Sequence, residues 1–295
     1  NRGKKSVALD LKSAAGCDAL GALVEHADAL IEGFRPGVVA RLGFGYEAVA
    51  ARNPRIVYCS ISAFGQTGEW AHHAAHDMAV QAMAGFLAVN VGPDGMPVVP
   101  GAPSADMSAV LMGLIGRERT GRGDYIDVAM FDSLLPWCAH IAGTAVAGGE
   151  PPRSSSQRSL GGAAFYNVYE TADGKHVVLG GRELKFVANL LNALERPDLI
   201  PLGSVDPGEA QAPLIGFLRD SFRTRTRDEW VAWFADKDVA FSPVLDFREA
   251  FSAPHMLARG LIVEADGAHH IAPPIRFAGE QPWVPASAPE LGADG

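Results

Sequence analysis

Three polar side chains stand where helices are expected to begin, and their types could move protons or attack a carbonyl. His76 and Asp77 open the run His76-Asp77-Met78-Ala79-Val80-Gln81-Ala82-Met83-Ala84-Gly85-Phe86, which is otherwise strongly apolar. At a helix start a carboxylate meets free N–H groups and the positive end of the helix dipole, a local reason for Asp77. His76, at the mouth of the same helix, is placed to act as a base through a neutral imidazole. Asp106, in Ala105-Asp106-Met107-Ser108, opens a second apolar run after the Pro- and Gly-rich stretch 99–103. Glu183 follows the apolar run 176–180 and Gly181-Arg182, again at a helix start. The plain alternatives are helix caps for Asp106 and Glu183 and a hydrogen-bonded loop histidine for His76. Residue types alone leave both readings open. Asp127 and Asp132 read as structural, one in a strand and one at a helix start.

The elements that must position these groups follow from periodicity. Residues 6–11 form a short β-prone run, and 13–27 read as a helix with Ala14, Leu20, Leu23 and Val24 on its apolar side. Residues 29–32 are a second short apolar run, followed by Arg35-Pro36-Gly37 and a helical segment through Arg52. IVYCSI, 56–61, is a third strand, rich in β-branched and aromatic residues. Strand, helix, strand, helix, strand is the pattern of a parallel sheet with covering helices on both faces. After residue 148 the character changes. GGEPPRSSSQRSLGG, 148–162, reads as a linker or mobile loop. Beyond it, 163–170 and 176–180 form a hairpin turning at Asp173-Gly174, and helices are expected over 183–194, 212–222 and 227–235. A last hairpin pairs 261–265 with 269–273 around Asp266-Gly267. The fold class is α/β, with a parallel-sheet half followed by a smaller α+β domain.

Several function classes are not supported. The chain has 295 residues, net charge −9 and a pI near 5.5, so a general nucleic-acid footprint is absent. Mean hydropathy is +0.07, and the longest apolar runs, 79–91 and 134–147, are broken by Gln81, Asn90, Pro136 and His140. A soluble, cytoplasmic protein without a membrane span is expected. Cys17, Cys59 and Cys138 are three and far apart, which argues against a disulfide framework or a cysteine zinc site. There is no GxGxxG after the first strand, no GxxxxGK[ST], no GxSxG and no HExxH, and His72-His73 has no third ligand. No metal is expected.

Five stretches together resemble the class III CoA-transferases of the CaiB/BaiF type, a family that includes α-methylacyl-CoA racemases and carnitine CoA-transferases. They are NRGKKSVALDLK (1–12), ALIEGFRPGVVARLGFG (29–45), IVYCSISAFGQTG (56–68), residues 76–85, and RERTGRGDYIDVAMFDS (117–133), with weaker echoes at 166–174 and 288–292. The resemblance implies an interlocked homodimer, each subunit with a Rossmann-like large domain and a smaller α+β domain, that takes an acyl-CoA thioester as substrate, with no covalently bound cofactor. The large CoA-binding domain would span 1–148, a linker 149–162, the small domain 163–255, and a return segment to the large domain 256–295. Family positions that contact CoA match Leu9, Asp10, Leu11 and Lys12, then Gly33, Phe34, Arg35 and Arg41, and Ala75, Asp77, Met78, Ala79 and Val80. Arg35, Arg41 and Lys12 suit phosphate charge, although Lys12 also fits an ordinary surface lysine.

By the same resemblance Asp106 matches the aspartate shared by both branches of the family. In transferases it attacks the thioester to give an acyl-aspartyl anhydride. In racemases it is one of two acid/base groups facing the α-carbon, with His76 matching the opposite base and Glu183 the glutamate paired with that histidine. The expectation is racemisation of 2-methylacyl-CoA thioesters. The alternatives are CoA transfer between carboxylic acids through Asp106, and a catalytically dead CoA-binding member. Only Gly161-Gly162 stand where transferases have a longer glycine-rich loop. Features also point the other way: the racemase run His-Asp-Ile-Asn-Tyr is here His-Asp-Met-Ala-Val, and Gln81-Ala82-Met83-Ala84-Gly85 is transferase-like. Leu184-Lys185-Phe186 replaces the common Pro-Gln-Phe. Met83, Phe86, Phe165 and Phe186 suit either an apolar acyl site or the core. The family's first strand and helix would precede Asn1, its helix after Asp106 would be longer, and a terminal helix would follow Gly292; residues beyond those given are therefore expected.

Overall fold

A computed structural model describes residues 3–92, 94–100, 108–265, 267–273, 275, 279 and 288–295. The chain forms two compact units, Leu11–Ser242 and Asn1–Asp10 with Pro243–Gly295.

The first unit opens with helix α1 (Ala14–His26), whose N-cap Ser13 accepts a hydrogen bond from Gly16 N at 3.0 Å. Strand β1 (Ala29–Glu32), helices α2 (Val38–Arg41) and α3 (Tyr46–Arg52) and strand β2 (Val57–Ser62) follow. Next come α4 (Asp77–Met83), α5 (Phe86–Val89), α6 (Ser108–Thr120), β3 (Tyr125–Ala129), α7 (Met130–Trp137) and α8 (Ala139–Val146). The three strands are parallel in the order β1-β2-β3, with β2 central. Alternation along β2 explains how helices reach both faces. Ile56 and Tyr58 join Val24 of α1, Phe44 and Val49 of α3 in one cluster. Val57 and Cys59 join Val110 of α6 and Val128 in another. The expected burial on both faces holds for the first four residues of β2; β1 and β3 keep exposed positions because each is an edge. Gly123 enters β3 so close to β2 that a Cβ there would stand 1.8 Å from Ile56 O, a contact only glycine avoids.

The run 6–11 is not a strand, contrary to its β-prone composition. Ser6 bonds instead to the chain's other end: Ser6 N donates to Asp294 Oδ2 at 2.8 Å and Asp294 N to Ser6 O at 2.9 Å. These are contacts to a turn, which offers no ladder to extend.

Within 163–243 the predicted hairpin forms as β4 (Tyr166–Glu170) and β5 (His176–Gly180), antiparallel, with β6 (Phe241–Pro243) beside β5. Helices α9 (Leu184–Ala193), α10 (Ala212–Phe222) and α11 (Arg227–Phe234) cover the hairpin and share one apolar core with it. Trp230, Phe222, Phe234 and Tyr169 stack at its centre, and Trp230 Nε1 donates to Phe222 O at 2.8 Å. The Gly-, Pro- and Ser-rich stretch ends in two single helical turns, 154–156 and 158–162. Gly162 is buried and its carbonyl accepts from Gly208 N at 2.8 Å, which ties that end down.

In the second unit, α12 (Phe247–Ser252) is closed by a capping box between Asp246 and Glu249, and α13 (Pro254–Ala258) leads to the hairpin β7 (Ile262–Ala265) and β8 (Ala268–Ile271). That hairpin was expected, with its second strand one residue later; Asp266 of its turn lies outside the described residues. No helix among the described residues is long and apolar enough to cross a membrane.

Candidate active site

In an open parallel sheet, ligands bind beyond the carboxyl ends of the strands. A cavity of about 620 Å³ stands at those ends here. Gly33, Phe34, Arg35 and Pro36 follow β1; Ile61, Ser62 and Ala63 close β2; Met130 follows β3. The remaining wall is the stretch leading into α4, with Ala71, His73, Ala74, Ala75, His76, Met78 and Ala79.

Local chemistry fixes each segment. Glu32 Oε2 accepts from Phe34 N at 2.8 Å, bending the chain out of β1. Gly37 then takes φ +79°, a conformation glycine adopts without penalty, and begins α2. Phe34 is 52% exposed, and the Arg35 guanidinium makes no hydrogen bond or ion pair among the described residues. The stretch after β2 is anchored by an aromatic group. Phe64, Trp70 and Phe131 pack with centroids 5.7–6.0 Å apart, and His73 sits edge-on to Phe64 at 6.4 Å.

His76 is the N-cap of α4, yet its side chain makes no capping bond. Its imidazole is exposed and has no hydrogen-bond partner among the described residues, so it is not a hydrogen-bonded loop histidine. Asp77 occupies the first helical position, as its sequence context suggests, and its Oδ2 accepts from Gln81 Nε2 at 2.5 Å. The described wall therefore carries Arg35, His73, His76 and one hydroxyl, Ser62, and no carboxylate. This local balance suits an anionic ligand in a protein of net charge −9.

Of the residues singled out in the sequence, the cavity brings together Gly33, Phe34, Arg35, Ala75, His76, Met78 and Ala79. Asp77, Leu11, Lys12 and Arg41 lie off its wall, and Val80 is fully buried. Leu9 and Asp10 belong to the other unit. Asp106 lies in 101–107, outside the described residues. Glu183 occupies the N-cap position of α9 without a side-chain capping bond, is exposed, and makes no bond to His76. Phe165 belongs to the core. Asp127 and Asp132 have local roles: Asp127 in β3 accepts from Gln66 N at 2.9 Å, and Asp132 sits in the first turn of α7. Sequence reasoning missed Ser62, Ala63, Met130 and His73. Their signal was position, immediately past a predicted strand, and for His73 its spacing from His76.

A thiol nucleophile does not fit. Burial pushes the Cys59 and Cys138 thiols up, with Glu32 and Asp127 adding to the effect at Cys59, so neither favours the reactive thiolate. Among the described residues no group of three or more His, Cys, Asp or Glu could hold a metal ion.

The model of CoA-transferase family III matches residues 1–295. The chain belongs to CoA-transferase family III. Among its relatives, the acetyl-CoA:oxalate CoA-transferase of Acetobacter aceti is 33% identical over all of this chain and 79% of its own length. Human α-methylacyl-CoA racemase is 32% identical over 90% of this chain and 71% of its own. Human succinyl-CoA:glutarate CoA-transferase is 28% identical over 90% of this chain and 63% of its own. The chain thus spans 63% to 79% of the length of these three. In structure it is similar to a CAIB/BAIF family protein from Brucella suis, with TM-score 0.83 and 29% identity, covering all of this chain and 80% of that one. A second similar structure, from Mycobacterium tuberculosis, has TM-score 0.82 and 25% identity over all of this chain and 81% of that one. The mixed α/β fold is that of CaiB/BaiF proteins. The named family III relatives are enzymes acting on CoA thioesters, transferases and racemases both, so overall identity does not choose the reaction.

Proposed function

We propose that this family III chain racemises 2-methylacyl-CoA thioesters by proton transfer between His76 and Asp106. The observation that carries the proposal is the exposed imidazole of His76, without a hydrogen-bond partner among the described residues, on the wall of a cavity at the carboxyl ends of β1, β2 and β3. A transferase working through an aspartyl anhydride has no need of a base there. The cavity wall otherwise suits a thioester with a charged tail: Ile61, Ala63, Met78, Ala79 and Met130 are apolar, and Arg35 is a cation without a partner among the described residues.

In this reading neutral His76 removes the α-proton from one face of the acyl group. The electron pair moves onto the thioester oxygen as an enolate, held by backbone N–H donors beside His76. Protonated Asp106 returns a proton to the opposite face, and the roles reverse for the other enantiomer. The acyl group lies at the interface of a homodimer. No covalently bound cofactor is needed.

A second reading has its own support. The oxalate CoA-transferase matches the whole chain at 33% identity, and Gln81-Ala82-Met83-Ala84-Gly85 is transferase-like. Asp106 would then take the acyl group as an anhydride and release CoA thiolate. The two separate by isotope. Incubation of a 2-methylacyl-CoA in deuterated water without acceptor acid, followed by NMR, is expected to show α-proton exchange that His76→Ala abolishes. No exchange, together with a hydroxylamine-trappable acyl group on Asp106, would overturn racemisation in favour of transfer.

A further inference from the structure

Ser62 ends β2 and forms part of the cavity wall, yet its Oγ is buried and has no hydrogen-bond partner among the described residues. Its neighbour on the same strand shows what a satisfied hydroxyl looks like there: Ser60 Oγ accepts from Tyr125 OH at 3.2 Å. A buried hydroxyl left unpaired costs about 1–3 kcal/mol, so native structures rarely keep one without a use. The other buried side-chain atoms without a hydrogen bond among the described residues belong to Gln66, Gln81, Arg117 and Arg225, none of which lines this cavity.

We infer that the Ser62 hydroxyl is a substrate-binding group that donates to a carbonyl oxygen of the bound CoA thioester. The inference rests on the proposed acyl-CoA reading of the cavity. Three facts point to a neutral carbonyl acceptor. The wall on either side of Ser62 is Ile61 and Ala63, without charge. The cation on the wall, Arg35, is available for phosphate. A serine hydroxyl both donates and turns about a single bond through three staggered positions, so it can leave the buried position and face the ligand. Ser62 as a whole is half-buried, consistent with one side open to the cavity. The acceptor carbonyl has two sources on such a ligand, the thioester itself or an amide of the pantetheine arm.

The test pairs stability with binding in Ser62→Ala and Ser62→Cys, using free CoA and a 2-methylacyl-CoA as separate probes in calorimetry. If the hydroxyl serves the ligand, S62A unfolds at the same temperature as the wild type or higher without ligand, because no protein bond is lost. Its affinity falls about 2- to 12-fold, the scale of one neutral hydrogen bond. S62C, close in shape but a weak donor, falls with it. A loss with both probes assigns the bond to a pantetheine amide; a loss with the acyl-CoA alone assigns it to the thioester. Unchanged affinity in S62A, or a loss that S62C restores, would overturn the inference. Wild type that binds neither probe would instead overturn the acyl-CoA reading beneath it.

Discussion

The sheet region, 11–137, and the hairpin region, 163–242, divide the work of the molecule. In the hairpin region thirteen buried residues, from two strands, three helices and the segment leading into β4, form a single cluster, most of them fully inaccessible. The sheet region has two smaller clusters, of five and four residues, one on each face. It also leaves Leu111, Met112 and Ile115 of α6 more than 60% exposed, and Met78 beside the cavity at 56%. The charged and hydroxyl side chains of the candidate site belong to the less consolidated region. That is the usual distribution, since binding segments are drawn from the low-stability end of a fold. The stacked aromatics of the other region contribute burial and no visible chemistry.

Substitutions that strike one region only should sharpen this contrast. His76→Ala should cut α-proton exchange by about 10²- to 10⁴-fold, the usual worth of a general base. Because the imidazole has no partner among the described residues, urea unfolding should move by no more than about 0.5 kcal/mol. Trp230→Ala should do the reverse. Its indole is 1% exposed and bonded to Phe222 O, and truncation should cost about 3–5 kcal/mol in the same unfolding measurement. A loss under 1 kcal/mol would show that the aromatic cluster is not the main support of its region. Arg35→Gln should weaken CoA binding about tenfold by calorimetry, with a shallower salt dependence, if its guanidinium meets phosphate. Thr226→Ala removes the capping box of α11 and should cost about 1 kcal/mol of thermal stability without changing CoA affinity.

Alkaline pH acts on both regions through buried phenols. Burial first, then the charges of Glu32 and Tyr125, push Tyr58 up to about 12, and burial raises Tyr169 as well. Their hydroxyls donate to Phe44 O at 2.9 Å and Ala164 O at 2.7 Å. A pKa raised on folding means that the native state holds the proton longer than the unfolded chain does. Stability from these groups is therefore full below the unfolded value near 10 and falls as pH rises toward 12. Denaturant titrations at pH 9 and 11 should show that decline, and Tyr58→Phe should reduce its slope.

How much of this was legible in the sequence depends on whether the signal was local. The hairpin at Asp173-Gly174 and the helices over 184–193, 212–222 and 227–234 announced themselves through turn chemistry and 3.6-residue spacing. Asp77 and Glu183 were rightly placed at helix starts for the same local reason. Residues 6–11 misled because β-propensity says nothing about whether a partner strand is present; Ser6 found a turn instead. Arg35 and Phe34 were found through motif resemblance and His76 through its place at a helix start, and the cavity gathers all three. Ser62 and His73 were passed over because a serine at a strand end and a paired histidine carry no pattern of their own. Only the convergence of three strand ends gives them a setting.

The most direct measurement of where the substrate sits is amide hydrogen exchange with and without a saturating 2-methylacyl-CoA. Slowed exchange at 33–36, 61–63 and 73–79, with 214–234 unchanged, is the predicted result. Exchange at those three segments that stays the same while the ligand is demonstrably bound would contradict the assignment of this cavity as the CoA thioester site.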